Sequence, residues 1–117
     1  MRLYHGTDVN SLVDLLNGHD LDAEVAAGCH RNGAPGFYLA VLRSDAEYFA
    51  LRREGNIVTI DIEDEAVAEL TRLGAMLQAI PMSPMSANFD GDELFIPVHL
   101  FRSFNEMREQ GRIHAFL

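Results

Sequence analysis

The chain has 117 residues, 48% hydrophobic and 23% charged, with one cysteine, Cys29. That is one domain's worth of chain, residues 1–117 as a single unit, and the proportions exclude disordered and collagen-like classes, while a lone cysteine excludes an internal disulfide framework and a four-cysteine zinc site. Nine arginines, no lysine and eighteen carboxylates give a net charge of −9, which repels phosphate at long range and speaks against a general nucleic-acid binder.

Arg2 to His5 reads as a short first strand. Thr7 or Asp8 caps a helix whose apolar positions are Val9, Leu12, Val13, Leu15 and Leu16, and Gly18 stands where it would stop. Residues 19–35 read as a loop and Gly36 to Ala40 as a strand. Ser44-Asp45-Ala46-Glu47 has the form of a capping box, so a helix is expected from Ser44 to about Gly55. Asn56 to Ile62 alternates as a strand, and a helix from Glu63 to about Leu73 ends at Gly74. Residues 80–92, rich in Pro, Ser and Gly, read as a long loop. Leu94 to Val98 follows as a strand, Phe101 to Gln110 as a short helix and Ile113 to Leu117 as a last strand. Strands and helices mix without a βαβ rhythm, so the expected class is α+β with a mostly antiparallel sheet flanked by short helices. No apolar run approaches the roughly 20 residues that span a bilayer, and no signal peptide precedes Leu3-Tyr4-His5, so the expected location is cytoplasmic, without membrane contact.

Three segments at strand ends carry chemistry. Tyr4-His5-Gly6-Thr7 leaves an imidazole at a strand edge beside a glycine that lets a ligand approach the backbone. Gly36-Phe37-Tyr38-Leu39-Ala40 leads into a helix bearing Tyr48 and Phe49. Asp90-Gly91-Asp92-Glu93-Leu94-Phe95-Ile96-Pro97 opens an apolar strand with carboxylates. Taken singly, each has an ordinary reading as a surface histidine, core aromatics or solvated acids. Asp61, Glu63, Asp64 and Glu65 read as charge at a helix N-terminus. His19, Cys29 and His30 do not have metal-ligand spacing, and no metal is expected. Met76, Met82 and Met85 read as a satellite core rather than a partner surface.

Together and in this order the three segments resemble the H-Y-E group of the ADP-ribosyltransferase fold, which includes diphtheria toxin, the exotoxin A class and the poly-ADP-ribose polymerases. Tyr4-His5-Gly6-Thr7 is similar to the family's NAD-binding strand, Gly36-Phe37-Tyr38 to its nicotinamide-stacking strand, and Phe49, eleven residues on, to its second aromatic. Glu93 before Leu94-Phe95-Ile96 is similar to its catalytic glutamate, and the resemblance spans residues 4 to 97. Two positions depart: Phe49 stands where the family commonly has tyrosine, and Gly91, two before Glu93, where toxins that modify arginine or asparagine carry a carboxylate or amide.

The resemblance implies a split, mostly antiparallel sheet and an NAD-dependent mono-ADP-ribosyltransferase, of the bacterial toxin, effector or modifying-enzyme kind. It would transfer ADP-ribose from NAD to a protein or a small molecule, as rifampin-modifying relatives do. Implied catalytic residues are Glu93, His5 and Tyr38; implied NAD-binding residues are His5, Gly6, Thr7, Tyr38 and Phe49. Glu93 would stand exposed beside the nicotinamide ribose and stabilise its developing positive charge. Tyr38 and Phe49 would stack on the cationic ring. Either Arg31 or Arg43 would meet the pyrophosphate, and residues 80–92 would form an acceptor-facing lip. The resemblance also leaves room for an antitoxin or immunity partner, and for delivery into a target cell's cytosol. An NAD glycohydrolase and a degenerate domain that binds NAD or a partner are the alternatives. The related RNA 2′-phosphotransferases need a basic groove, which a charge of −9 disfavours.

Overall fold

A computed structural model describes residues 1–22, 30–31, 34–81 and 89–117. In chain order the elements are β1 (Arg2–Thr7), α1 (Val9–Leu16), β2 (His30–Arg31), β3 (Ala34–Ala40), α2 (Arg43–Arg52), β4 (Asn56–Ile62), α3 (Asp64–Leu73), β5 (Met76–Ala79), β6 (Asp92–Pro97), a 3-10 turn (Val98–Leu100), α4 (Phe101–Glu109) and β7 (Ile113–Phe116). Six strands form an antiparallel sheet in the order β5-β6-β3-β1-β4-β7, with β2 beside the start of β3. The domain is therefore α+β, as the mixed pattern of strands and helices predicts.

The sheet has two covered faces, and strand alternation assigns every residue to one of them. Leu3 lies opposite Ile60, Phe37 opposite Ile96, Leu39 opposite Leu94 and Ile62 opposite Ile113. These buried side chains form the main core, closed by Leu15 of α1, Ala66 and Leu70 of α3, and Phe101, Phe104 and Met107 of α4. The other face carries Tyr4, Ala40 and Ile57 and is covered by Ala46 and Ala50 of α2, with Ile80 and Phe89. Because both faces are buried, β4 is apolar on both sides, and its alternation is muted to Thr59 and Asp61 among aliphatic neighbours.

Small residues set the distance between β1 and α2. A methyl group on Gly6 would lie 2.1 Å from the Ala46 carbonyl oxygen and 2.7 Å from the Ala50 nitrogen. The strand thus rests on the helix backbone itself, through a glycine facing two alanines one helical turn apart. Beyond the end of α2 the backbones approach as closely, since a methyl on Gly55 would strike the Thr7 carbonyl.

Helix α1 is capped by Asp8, whose carboxylate accepts from the Ser11 backbone at 2.8 Å and the Ser11 hydroxyl at 3.1 Å. Its far end is held by α4. Asn105 accepts from the Leu21 nitrogen at 2.8 Å and donates to the Leu21 oxygen at 3.2 Å, while the Arg108 guanidinium donates to the Leu15 carbonyl. At the other strand-to-helix junction, Asp61 forms a two-point pair with Arg2 at 2.9 Å. Asp64 and Glu65 occupy the first turn of α3, and Gly74 caps that helix at φ 130°.

Two outcomes follow. Gly6→Ala must displace helix backbone rather than a flexible side chain, so it is expected to cost about 1–3 kcal/mol, read from urea unfolding. The Ser11 backbone bond holds the Asp8 carboxyl below the usual carboxylate range. A folded-state value below the unfolded one adds stability that is full above the ordinary carboxylate range and is lost as pH falls through the folded value. Asp8→Ala should therefore lower stability by about 1 kcal/mol at neutral pH, with the difference from wild type shrinking in acid.

Candidate active site

The strands β1 and β3 are joined by one ladder pair, Tyr4 opposite Ala40. By contrast, β1 pairs with β4 along its whole length, from Arg2 opposite Asp61 to Thr7 opposite Asn56. Past Tyr4 and Ala40 the two strands part. His5, Gly6 and Thr7 on one edge and Gly36, Phe37 and Tyr38 on the other line a cleft of about 280 Å³. That lies at the lower end of small-molecule sites. Helix α1 supplies Asp14 and Leu15 to a second wall, and α2 and its end supply Phe49 and Arg53 to a third.

His5 spans this fork. Its Nδ1 lies 2.8 Å from the Tyr38 carbonyl oxygen. A carbonyl only accepts, so Nδ1 carries the proton and donates. The ring also lies 4.5 Å from Phe37, tilted by 49°. The imidazole thus takes up a β3 carbonyl that the diverging β1 backbone no longer reaches.

Both aromatic walls are doubled. The Tyr38 ring, 8% exposed, stacks on Phe95 across the β3–β6 ladder at 4.9 Å. Phe49 lies nearly parallel to Phe89, 8° apart at 5.4 Å, and Tyr48 meets both edge-on. A ring backed by another ring has little freedom to turn, so the walls are set before any ligand arrives. Thr7 contributes from a buried position, 1% exposed.

Glu93 stands apart from His5, Gly6, Thr7, Tyr38 and Phe49. It is 1% exposed and is not on the wall of the cleft. It lies opposite Ala40 of β3 and opposite Gln78 of β5, whose amide donates to Glu93 Oε2 at 3.1 Å. The sequence predicts an exposed carboxylate at a strand start, but β6 begins at Asp92, two residues before the expected Leu94, and β5 covers its outer side. The strand β5 is hard to see in Met76-Leu77-Gln78-Ala79, which has no β-branched residue and no polar alternation. Asp92 is exposed and on the opposite face, so of the two neighbouring acids only Glu93 shares the face of Tyr38. Since Tyr38 opposes Phe95, Glu93 is its diagonal neighbour, at a typical spacing of about 7 Å.

Asp45 is a residue that motif reading passed over. Ser44 does not cap α2; the N-cap is Leu42, with no side-chain bond, and Ser44 is exposed. Asp45 turns inward instead, 4% exposed, and accepts from the backbone of Asp90 at 3.1 Å and Gly91 at 2.9 Å. It ties the helix that carries Phe49 to the chain entering β6. A methyl on Gly91 would lie 2.8 Å from Leu42 Cγ and 3.2 Å from Asp45 Oδ2. A carboxylate or amide at 91 would have to push the Leu42 side chain aside and would stand against the Asp45 carboxylate, which glycine avoids.

Among the described residues the cation on the cleft is Arg53, not the expected Arg43. Arg43 is half exposed, pairs with Glu47 at 4.0 Å and is not on the wall; the Arg31 side chain lies outside the described part. Arg53 lines the cleft, four residues after Phe49 and so one turn further along the same helix face. That spacing was the signal for it. Of the expected acceptor-facing segment, residues 82–88 lie outside the described residues, as do Cys29, Met82 and Met85. Its flanks, Ile80 and Phe89, pack against α2, and Met76 is exposed on the sheet edge rather than in a satellite core. Among the described residues no helix is long and apolar enough to cross a membrane.

Compared with family models, curated proteins and solved structures, the chain matches none.

The tether at Asp45 has a measurable worth. Asp45→Ala leaves two backbone N–H groups without their acceptor and is expected to cost about 1–3 kcal/mol in urea unfolding. Asp45→Asn keeps one acceptor oxygen and should cost less.

Proposed function

We propose that the chain is an NAD-dependent mono-ADP-ribosyltransferase built on an ADP-ribosyltransferase-like split sheet. NAD is its substrate, and a protein or a small molecule is the acceptor. The observation that carries this reading is the convergence of three distant segments on one cleft: His5, Gly6 and Thr7 from β1, Tyr38 from β3 and Phe49 from α2. The fork between β1 and β3 supports the split, because the sheet opens at those same residues.

The reaction breaks the bond between ribose C1′ and the nicotinamide nitrogen. The bonding pair leaves with nicotinamide, which departs neutral, and positive charge grows on the ribose. The acceptor then adds to C1′ and loses a proton. Tyr38 and Phe49 hold the flat, cationic ring by stacking and cation–π attraction. His5, which lines the cleft with its Nδ1 bonded to the Tyr38 carbonyl, orients ribose hydroxyls. Arg53 meets the pyrophosphate, a local cation within a chain of charge −9. Glu93 lies on the Tyr38 face, one ladder step from the ring that would hold nicotinamide. A carboxylate shielded from water acts more strongly on a neighbouring cation than one in bulk solvent, and it favours the transition state over the uncleaved substrate.

Labelled NAD incubated with the protein and a cell lysate is expected to yield free nicotinamide and a labelled acceptor. Glu93→Gln should lower nicotinamide release by about 10²–10³-fold with NAD affinity nearly unchanged. Tyr38→Ala should weaken NAD binding by about 1–3 kcal/mol in calorimetry. Nicotinamide without a labelled acceptor would make water the acceptor. A folded chain that neither binds NAD nor releases nicotinamide would sink the reading.

A further inference from the structure

The strand β5 lies at the end of the sheet, paired with β6 on one side, and among the described residues no strand lies on its other side. Along such an edge alternate residues turn their backbone N–H and C=O groups outward, open to another strand. Natural edges are ordinarily guarded by charged side chains, proline or a bulge. Met76-Leu77-Gln78-Ala79 has no charge and no proline, and its ladder with β6 runs residue for residue without a bulge. Met76 on one face and Leu77 on the other are 52% and 55% exposed, and Leu73 just before them is exposed as well. The opposite edge is different: β7 carries His114, and the Arg2 guanidinium lies over its Phe116 ring.

We propose that the outer edge of β5 is a homodimer interface, pairing antiparallel with β5 of a second copy across a two-fold axis. Charge selects this occupant. Two chains of net charge −9 repel, and they meet most favourably where neither brings carboxylates. From Leu73 to Phe89 the sequence has no charged residue, its longest such run. The ends of the edge are also complementary. Asp92, exposed on the neighbouring strand, stands opposite Ala79 at one end. At the other are Arg72, exposed in the last turn of α3, and His99, whose Nε2 lies 3.3 Å from the Leu73 carbonyl oxygen. Antiparallel pairing lays the acidic end of each copy beside the basic end of the other, whereas parallel pairing would set like ends together. With the two-fold at Leu77, that side chain meets Leu77 of the second copy, and Met76 lies opposite Gln78 of the second copy. Such a pair uses up both β5 edges, so growth stops at two chains. The inference stands independently of the NAD reading, because it concerns the outer edge of the sheet and not the cleft.

The test is analytical ultracentrifugation of the whole chain across a concentration series. Four residues of edge make a small, transient interface, so the average mass is expected to rise from one chain toward two between about 5 and 500 µM. Leu77→Lys and Met76→Lys, one on each face of the strand, place like charges near the two-fold, and each should weaken association at least roughly tenfold. Both positions are half exposed, and circular dichroism verifies that the variants are folded; should one fail to fold, the other decides alone. Leu51→Lys, at a side chain 80% exposed on α2, adds the same charge away from the edge and should leave association within about twofold of wild type. A wild-type chain that stays monomeric throughout, a dimer that a folded β5 variant leaves intact, a dimer that Leu51→Lys weakens equally, or growth beyond two chains would each overturn the proposal. None of these outcomes bears on nicotinamide release, so this inference and the proposed activity stand or fall separately.

Discussion

A sheet can open a cleft in its own middle only if the backbone groups along the parted edges find other partners. The fork between β1 and β3 meets that condition with a side chain: His5 donates across the gap to the Tyr38 carbonyl, one step past the last ladder pair at Tyr4 and Ala40. Everything else at the site depends on that fork staying open. Gly6 and Thr7 border it because β1 leaves β3 and continues along β4, and Tyr38 borders it because β3 continues along β6. The imidazole thus serves the fold before it serves any ligand, and its tautomer is fixed by the architecture.

The second constraint is how closely α2 lies on the sheet. Glycine against alanine brings backbone to backbone at Gly6, and Asp45 pins the start of the same helix to the chain entering β6. The helix is thus held at both ends of its contact, which fixes Phe49 relative to Tyr38 and leaves Arg53 at the cleft. Buried polar groups of this kind are costly unless fully satisfied, and Asp45 is satisfied by two backbone donors. Such a helix gains more from fit than from amphipathic burial, in keeping with its run of charged and small residues.

Much of this was legible in the residues. Asp8, Gly18 and Gly74 mark helix ends by their chemistry, and β4 and α3 announce themselves by periodicity. The spacing from Tyr38 to Phe49 brought both to one cleft. What was not legible has a physical cause in each case. Ser44 and Glu47 satisfy the capping-box pattern, yet Asp45 between them had a better use for its carboxylate, set by residues 45 positions away. Glu93 looked like a strand-start acid because β5 carries no strand signature, so the neighbour that buries it was invisible. Arg43 and Arg53 are alike in sequence, and only the helix direction separates the one that pairs with Glu47 from the one on the cleft.

The clamp of α4 on the end of α1 has a consequence for the order of assembly. Leu15 and Leu21, which line the cleft, are held by Arg108 and Asn105, and Phe101 of the same helix lines it too. These partners lie 84 and 93 residues apart along the chain. A polypeptide emerging from the ribosome can form β1, α1 and β3 early, but one wall of the cleft lacks its anchor until α4 has been synthesised and docked. Closing so long a loop is slow compared with forming local helices. The cleft is therefore completed only once α4 has been made and docked, however early β1, α1 and β3 take shape.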